Sequence, residues 1–183
     1  NDGSPAITKT YLKATGMATI SGVTYTTDDT LISDAEAQAQ YGVRYTFAAG
    51  DGLDQKARTP IGGMKPNTTY TVSMSVRGSV GSQTNVSAAF SSISGTLYST
   101  SRKNFAFARD NAFHRVSVTL VTAAYPNPNV SLGGVNLELR YNNAGGFTGL
   151  TAGTITVTNV SVVEGQFKLE NSSVMRSSHQ YSL

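Results

Sequence analysis

Between Thr69 and Arg77 the chain reads Thr-Tyr-Thr-Val-Ser-Met-Ser-Val-Arg, so that Tyr70, Val72, Met74 and Val76 alternate with polar residues. A period of two is the signature of a β-strand with one buried and one wet face. It is incompatible with a helix, whose apolar stripe recurs every three or four residues. The alternation returns at Val116, Val118 and Leu120, and again at Val135, Leu137, Leu139 and Tyr141. Less regular runs over 18–25, 41–49, 84–90 and 154–163 are also read as strands. In the last of these, Ile155 and Val157 lie out of phase with Val160 and Val162, which predicts a bulge or sheet crossing near Asn159.

The strands are punctuated by turn formers: Gly50-Asp51-Gly52, Gly62-Gly63-Met64-Lys65-Pro66-Asn67, Pro126-Asn127-Pro128-Asn129 and Asn142-Asn143-Ala144-Gly145-Gly146. One short helix is expected near 34–40, where Ser33-Asp34-Ala35-Glu36 has the spacing of a capping box. Many short strands with almost no helix predict an all-β antiparallel sandwich. The 183 residues fit one such domain over 17–165, with an N-terminal arm over 1–16 and a C-terminal tail over 166–183. Phe167, Leu169, Val174, Met175 and Tyr181 in that tail suggest docking on a partner.

Composition then narrows the function. Ser, Thr, Asn and Gly make up 74 of the 183 residues while only 14% are charged, so the surface is coated with hydroxyls and amides. The net charge of +3 is spread out, its tightest group being Arg102, Lys103, Arg109 and Arg115. Nucleic-acid binding, which needs a dense basic stripe, is not expected. Without cysteine there is no thiol nucleophile, disulfide or Cys-based zinc site. No apolar run reaches the length of a membrane helix, so no membrane insertion is expected.

Three segments carry a family resemblance. Gly63-Met64-Lys65-Pro66-Asn67-Thr68-Thr69-Tyr70-Thr71-Val72-Ser73 resembles the proline-to-tyrosine entry into a central strand of jelly-roll carbohydrate-binding modules, found on xylanases and cellulases and in bacteriophage tail and fibre proteins. Phe113-His114-Arg115-Val116-Ser117-Val118-Thr119 is similar to a further strand of those modules, with Phe113 in place of tryptophan. Ile155 to Gly165 is similar to their closing strand, and Ala39 to Tyr45 fits an earlier strand start. The likeness spans about residues 33–165. It implies a jelly-roll, galactose-binding-like sandwich that attaches to cell-surface glycans at a virion surface, in an extracellular setting. The alternative is a structural virion subunit, in capsid decoration or tail assembly, that works through protein–protein contacts. Either role suits a homo-oligomer, because a surface poor in charge packs readily against copies of itself. The family often grips sugars with tryptophan, which this chain lacks.

The residues that offer sugar chemistry follow from the strand reading. Asn136, Glu138 and Arg140 form an outward polar row, beside which Arg115, Ser117 and Thr119 are candidate neighbours. Tyr125, Tyr141 and Asn142 would supply ring stacking and amide contacts at a sandwich edge. Each has a structural reading as well: Glu138 as a surface ion pair with Arg115 or Arg140, Tyr141 as a rim-of-core residue, and Tyr125 as packing for its own loop. Glycoside hydrolysis needs two carboxylates facing one bond, and Glu138 alone lies mid-strand, so no enzyme is expected. No cofactor is expected either. The resemblance allows a bracing calcium, for which Asp28, Asp29, Asp51 and Asp110 are the available loop carboxylates.

Overall fold

A computed structural model describes residues 8–47, 54–81, 84–92, 96–124, 132–143 and 152–166. Ten strands and one helical turn follow in the order β1 (Thr8–Lys13), β2 (Tyr25–Thr27), α1 (Thr30–Ser33), β3 (Tyr41–Phe47), β4 (Asp54–Met64), β5 (Thr69–Gly78), β6 (Thr84–Ser91), β7 (Lys103–Phe105), β8 (Phe113–Val121), β9 (Leu132–Asn143) and β10 (Gly153–Glu164). They form a six-stranded sheet ordered β2-β1-β3-β10-β5-β8 and a four-stranded sheet ordered β4-β9-β6-β7. Every pairing is antiparallel except β1 with β2. The all-β sandwich expected from the alternation is the fold observed.

The alternating residues meet between the sheets. Val72, Met74 and Val76 of β5, Leu120 of β8 and Ile155 of β10 pack in one core with Phe90 of β6 and Val135, Leu137 and Tyr141 of β9. Each such side chain contributes about 1.5–3 kcal/mol through burial. The phase change predicted near Asn159 is a bulge: the β10–β5 register shifts between Thr158 and Ser161, and Asn159 adopts φ 52°. Below it, Thr68 N–H donates to Thr122 Oγ1 at 2.9 Å, Thr122 Oγ1 donates to Lys65 O at 2.7 Å, and Lys65 N–H donates to Tyr70 Oη at 2.9 Å. These bonds clamp the turn around Asn67, itself at φ 50°, and explain why a tyrosine follows the proline turn at this spacing.

A second, smaller core lies on the outer face of the six-stranded sheet. Leu31 of α1, Ala37, Leu12 of β1 and Phe113 of β8 are buried together. Gly42 of β3 makes the approach possible, since a Cβ there would sit 3.0 Å from Leu31 Cδ2. Polar contacts hold the 28–40 segment down: Arg77 Nη2 donates to Asp28 Oδ2 at 2.6 Å, its Nη1 donates to Thr30 Oγ1, and Ser75 Oγ donates to Glu36 O at 2.5 Å. The Arg77 guanidinium also lies 4.7 Å from the Phe113 ring centre.

Several boundaries differ from the expectation. The helix occupies Thr30–Ser33 rather than 34–40, because Asp34 leaves it in extended geometry and spends its carboxylate on the Glu36 and Phe113 N–H groups instead of allowing a capping box. The N-terminal arm read over 1–16 contains β1, which pairs with β3 along its whole length. Of the run 18–25 only Tyr25 enters a strand. β4 was hidden by its polar sequence, Pro60 and the glycines. It is an edge strand, where a proline is tolerated, and it bulges at Gly62 (φ 92°). The turns at 50–52, 126–129 and 144–146 and the tail from 167 onward lie outside the described residues.

Burial raises the pKa of Asp28, but the Thr30 and Arg77 hydrogen bonds and the Arg77 charge outweigh it and hold the carboxyl below the usual aspartate value. A depressed folded pKa contributes stability that is present above the unfolded value, about 4, and is lost as pH falls through the folded one. Asp28→Asn is therefore expected to cost about 2 kcal/mol at pH 7. In urea melts, its deficit relative to wild type should shrink steadily from pH 5 downward. A deficit independent of pH would show that the charge is not what anchors the segment.

Candidate functional site

The sequence row on β9 is outward-facing, as its phase requires, but it is not wet. Asn136 is 5% exposed and Glu138 0%, and their neighbours Ser87, Ala89 and Ser91 on β6 are equally buried. Glu138 sits between two guanidiniums, with Arg58 Nε 2.7 Å from Oε2 and Arg102 Nη1 2.5 Å from Oε1, while Ser91 Oγ donates to Oε2 at 3.2 Å. Arg58 is its cross-strand partner on β4, and Arg102 reaches over from the segment before β7. The expected pairing of Glu138 with Arg115 or Arg140 is thus replaced, because β4 sets Arg58 directly opposite Glu138 while Arg115 lies on the other sheet. Burial alone would raise the Glu138 pKa, but the hydrogen bonds and charges of Arg58 and Arg102 outweigh it and hold the carboxyl below its ordinary value.

Of the other predicted residues, Arg140 and Asn142 continue the phase of this row, whereas Arg115 and Tyr141 do not join it. Arg115 belongs to β8 of the opposite sheet, where Nη1 donates to Asn159 O at 2.7 Å and lies 3.4 Å from Ser75 Oγ. Arg140, half-buried, pairs with Lys56 and Ser87 in register. Tyr141 is fully buried in the core rather than at its rim, its ring centre 5.7 Å from Tyr45 and 6.2 Å from Phe47. Its hydroxyl has no hydrogen-bond partner among the described residues, and burial pushes its pKa well up. Asn142 stands opposite Asp54 and Asn85 near the end of β9. Tyr125 lies outside the described residues, as does Asp51. For calcium, Asp28 is bonded to Arg77 and Thr30, Asp29 to Thr15, and Asp110 to His114 at 2.8 Å. No group of three or more acidic or histidine residues able to hold a metal occurs among the described residues, so these carboxylates do not fit a calcium site.

A different surface has the composition of a ligand platform. By register, Lys9, Tyr11 and Lys13 of β1, Tyr25 and Thr27 of β2, and Tyr41 and Val43 of β3 share the face of the six-stranded sheet that continues into Tyr45 and the core. The opposite phase of β1 carries Leu12, buried in the outer core. Here the face is open: Tyr11 is 43% exposed and Tyr41 36%, with Tyr25 half-buried between them. Tyr25 lies 6.3 Å from Tyr11, edge-on, and 5.9 Å from Tyr41, ring centre to ring centre. Tyr41 Oη donates to Ala18 O at 3.0 Å, and Lys13 Nζ donates to Met17 O and Thr19 Oγ1, so the loop after β1 is tied to the rim of this shelf. Lys9 Nζ stands 6.0 Å from the Tyr45 ring centre. The result is three amphipathic rings flanked by ammonium groups, apolar enough to stack against a ligand and polar enough to remain exposed.

Sequence reading missed the shelf because two of its three strands were not recognised. β1 fell in the presumed arm, and the parallel pairing that sets Tyr25 beside Tyr11 leaves no local pattern. The one available signal was the recurrence of tyrosine at 11, 25, 41 and 45, in a chain without tryptophan.

No family model matches the sequence, and no curated protein does. Among solved structures, the chain resembles an arabinose-bound GH51 α-L-arabinofuranosidase (TM-score 0.49, 14% identity, covering 73% of this chain and 20% of that one). It also resembles the enzymatically active domain of bacteriophage CBA120 tailspike protein 4 (TM-score 0.48, 12% identity, 88% and 18%) and a CBM4 structure (TM-score 0.45, 15% identity, 68% and 84%). The chain thus spans about a fifth of the length of the first two. The likeness concerns the sandwich architecture.

Two substitutions separate structural from binding residues on β9. Glu138→Gln leaves two guanidiniums without their shared carboxylate. Because both reach solvent, the cost should be about 2 kcal/mol, below the roughly 3–5 kcal/mol for breaking a fully buried pair. Tyr141→Phe removes an unpartnered hydroxyl from the core and should leave stability unchanged or raise it by about 1 kcal/mol. Chemical denaturation at pH 7 measures both, and a loss of stability in Tyr141→Phe would reveal a partner for the hydroxyl.

Proposed function

We propose that the chain is a non-catalytic carbohydrate-binding β-sandwich whose contact surface is the tyrosine shelf of Tyr11, Tyr25 and Tyr41. The observation that carries this reading is the exposure of a run of neighbouring aromatic rings on rigid strands. A saccharide offers C–H groups on the faces of its rings and hydroxyls around their edges. Phenol rings receive the first, while tyrosine hydroxyls and the ammonium groups of Lys9 and Lys13 address the second. Strands hold the rings in place before binding, so little side-chain entropy is lost on contact. The motif resemblance in the proline turn, β8 and β10 supports the same reading. It also extends it to a setting, attachment of a virion tail or fibre to cell-surface glycans.

The row of Asn136, Glu138 and Arg140 takes a supporting part here, stiffening the four-stranded sheet through the Arg58–Glu138–Arg102 cluster. On an array of bacterial polysaccharides and cell-wall glycans the wild-type chain is expected to give discrete hits. Tyr11→Ala combined with Tyr41→Ala should weaken those hits by at least about tenfold, each tenfold corresponding to 1.4 kcal/mol, while leaving thermal melting nearly unchanged. Arg140→Ala should retain them. An array without hits, or hits indifferent to the loss of both tyrosines, would sink the proposal.

A further inference from the structure

Three of the four sheet edges are blunted. β2 and β7 are three residues long, and β4 carries Pro60 and loses register at Gly62. Such devices keep unpaired backbone groups from recruiting another chain. The fourth edge, β8, has none of them. It runs nine residues, Phe-His-Arg-Val-Ser-Val-Thr-Leu-Val, without proline, glycine or lysine, and pairs with β5 without a register shift.

Hydrogen bonds at its ends show which backbone groups are unused. Thr122 N–H donates to Thr68 O, on the β5 side, so by the period of two Leu120, Val118 and Val116 also turn their backbone groups toward β5. Val121 O faces the other way and accepts Thr100 N–H, while Phe113 N–H donates to Asp34 Oδ2. Between those two occupied ends, Arg115, Ser117 and Thr119 present N–H and C=O groups outward, with no backbone partner among the described residues. The Arg115 side chain folds inward across the sheet, onto Ser75 and Asn159, and so does not cross these backbone groups.

We propose that the β8 edge is an interaction surface for a second copy of this chain, joined antiparallel about a two-fold axis at Ser117. The free segment is self-complementary in that register. Ser117 faces Ser117 of the second copy, and Arg115 faces Thr119 of the second copy on both sides of the axis. Three fully outward pairs, at two bonds each, supply about six main-chain hydrogen bonds. Centring on Arg115 would require the Phe113 N–H, which Asp34 already occupies. Centring on Thr119 would require the Val121 carbonyl, which Thr100 already occupies.

Sedimentation velocity over a concentration series tests the surface and the register together. The wild-type chain is expected to show a reversible monomer–dimer equilibrium. Ser117→Pro removes an outward N–H while sparing the β5 ladder, and should yield monomer with unchanged far-UV circular dichroism. Thr119→Glu places a carboxylate opposite Arg115 of the second copy and should tighten the dimer at least about threefold, whereas Thr119→Arg should weaken it by a similar factor. Should Ser117→Pro fail to fold, the two Thr119 variants still decide. A monomer at every concentration up to millimolar, or Thr119→Glu and Thr119→Arg shifting the dissociation constant in the same direction, overturns the proposal.

Discussion

A sheet of six strands packed against one of four leaves part of its inner face without an opposing layer, since each strand occupies about 4.8 Å across the sheet. In this molecule the shortfall falls at β1 and β2. Strands β10, β5 and β8 and the inner residues of β3 meet β6 and β9 across the core, where Val72, Met74, Leu137 and Tyr141 are buried. Beyond β3 the same face turns from Phe47 and Tyr45, both buried, to Tyr11 and Tyr41, both exposed. The tyrosine shelf is thus a continuation of the core face past the limit of the smaller sheet. Tyrosine suits that boundary because its ring still gains from contact with the neighbouring rings while its hydroxyl can face water or a rim carbonyl.

The uncovered strands need support from their other side, and the 28–40 segment provides it. Leu31 and Ala37 press on Leu12 and Phe113, and the Arg77–Asp28 pair with its Thr30 contacts fixes the segment to β5. The Arg58–Glu138–Arg102 cluster plays a comparable part on the four-stranded sheet, where it ties β4 and the segment before β7 to β9. Both devices replace apolar cover with a desolvated ion pair. Such a pair contributes little net energy relative to a hydrophobic substitute, but it penalises its own rupture heavily. Their common effect is to fix strand positions at the margins of the sandwich, where hydrophobic packing is thinnest.

Strands whose inner face meets the opposite sheet were legible because burial imposes alternation: β5, β8 and β9 carry it plainly, and the bulge at Asn159 announced itself as a change of phase. Strands at the margins carry no such imprint. β1, Thr-Lys-Thr-Tyr-Leu-Lys, alternates polar and apolar only where Leu12 enters the outer core, and β4 contains a proline and two glycines that read as turns. The site suffered from the same gap. Alternation places Glu138 on an outward face but does not say whether that face is wet, and Arg58 and Arg102 lie 80 and 36 positions away along the chain in segments without a periodic signal. The hydroxyl-rich composition was legible in kind. Much of it serves structure, as Thr122 does in the turn clamp and Ser75 does under the 28–40 segment.

The shelf and the β8 edge stand at opposite margins of one sheet, since β2 and β1 begin the order that β8 ends. Pairing through β8 would therefore leave both shelves unobstructed and carry them to the two far ends of a doubled, continuous sheet. A weak saccharide contact at each end then acts twice on a repetitive surface. The second engagement becomes intramolecular, with an effective concentration set by the span of the sheet rather than by the bulk. A rigid span selects for ligand spacing as well as ligand chemistry, because shelves held at a fixed separation cannot both engage a surface whose repeats fall out of step with it. On this geometry the proposed glycan contact and the proposed self-association are complementary: modest affinity at an open tyrosine shelf is sufficient where the sheet that carries it is joined to its copy at the other margin.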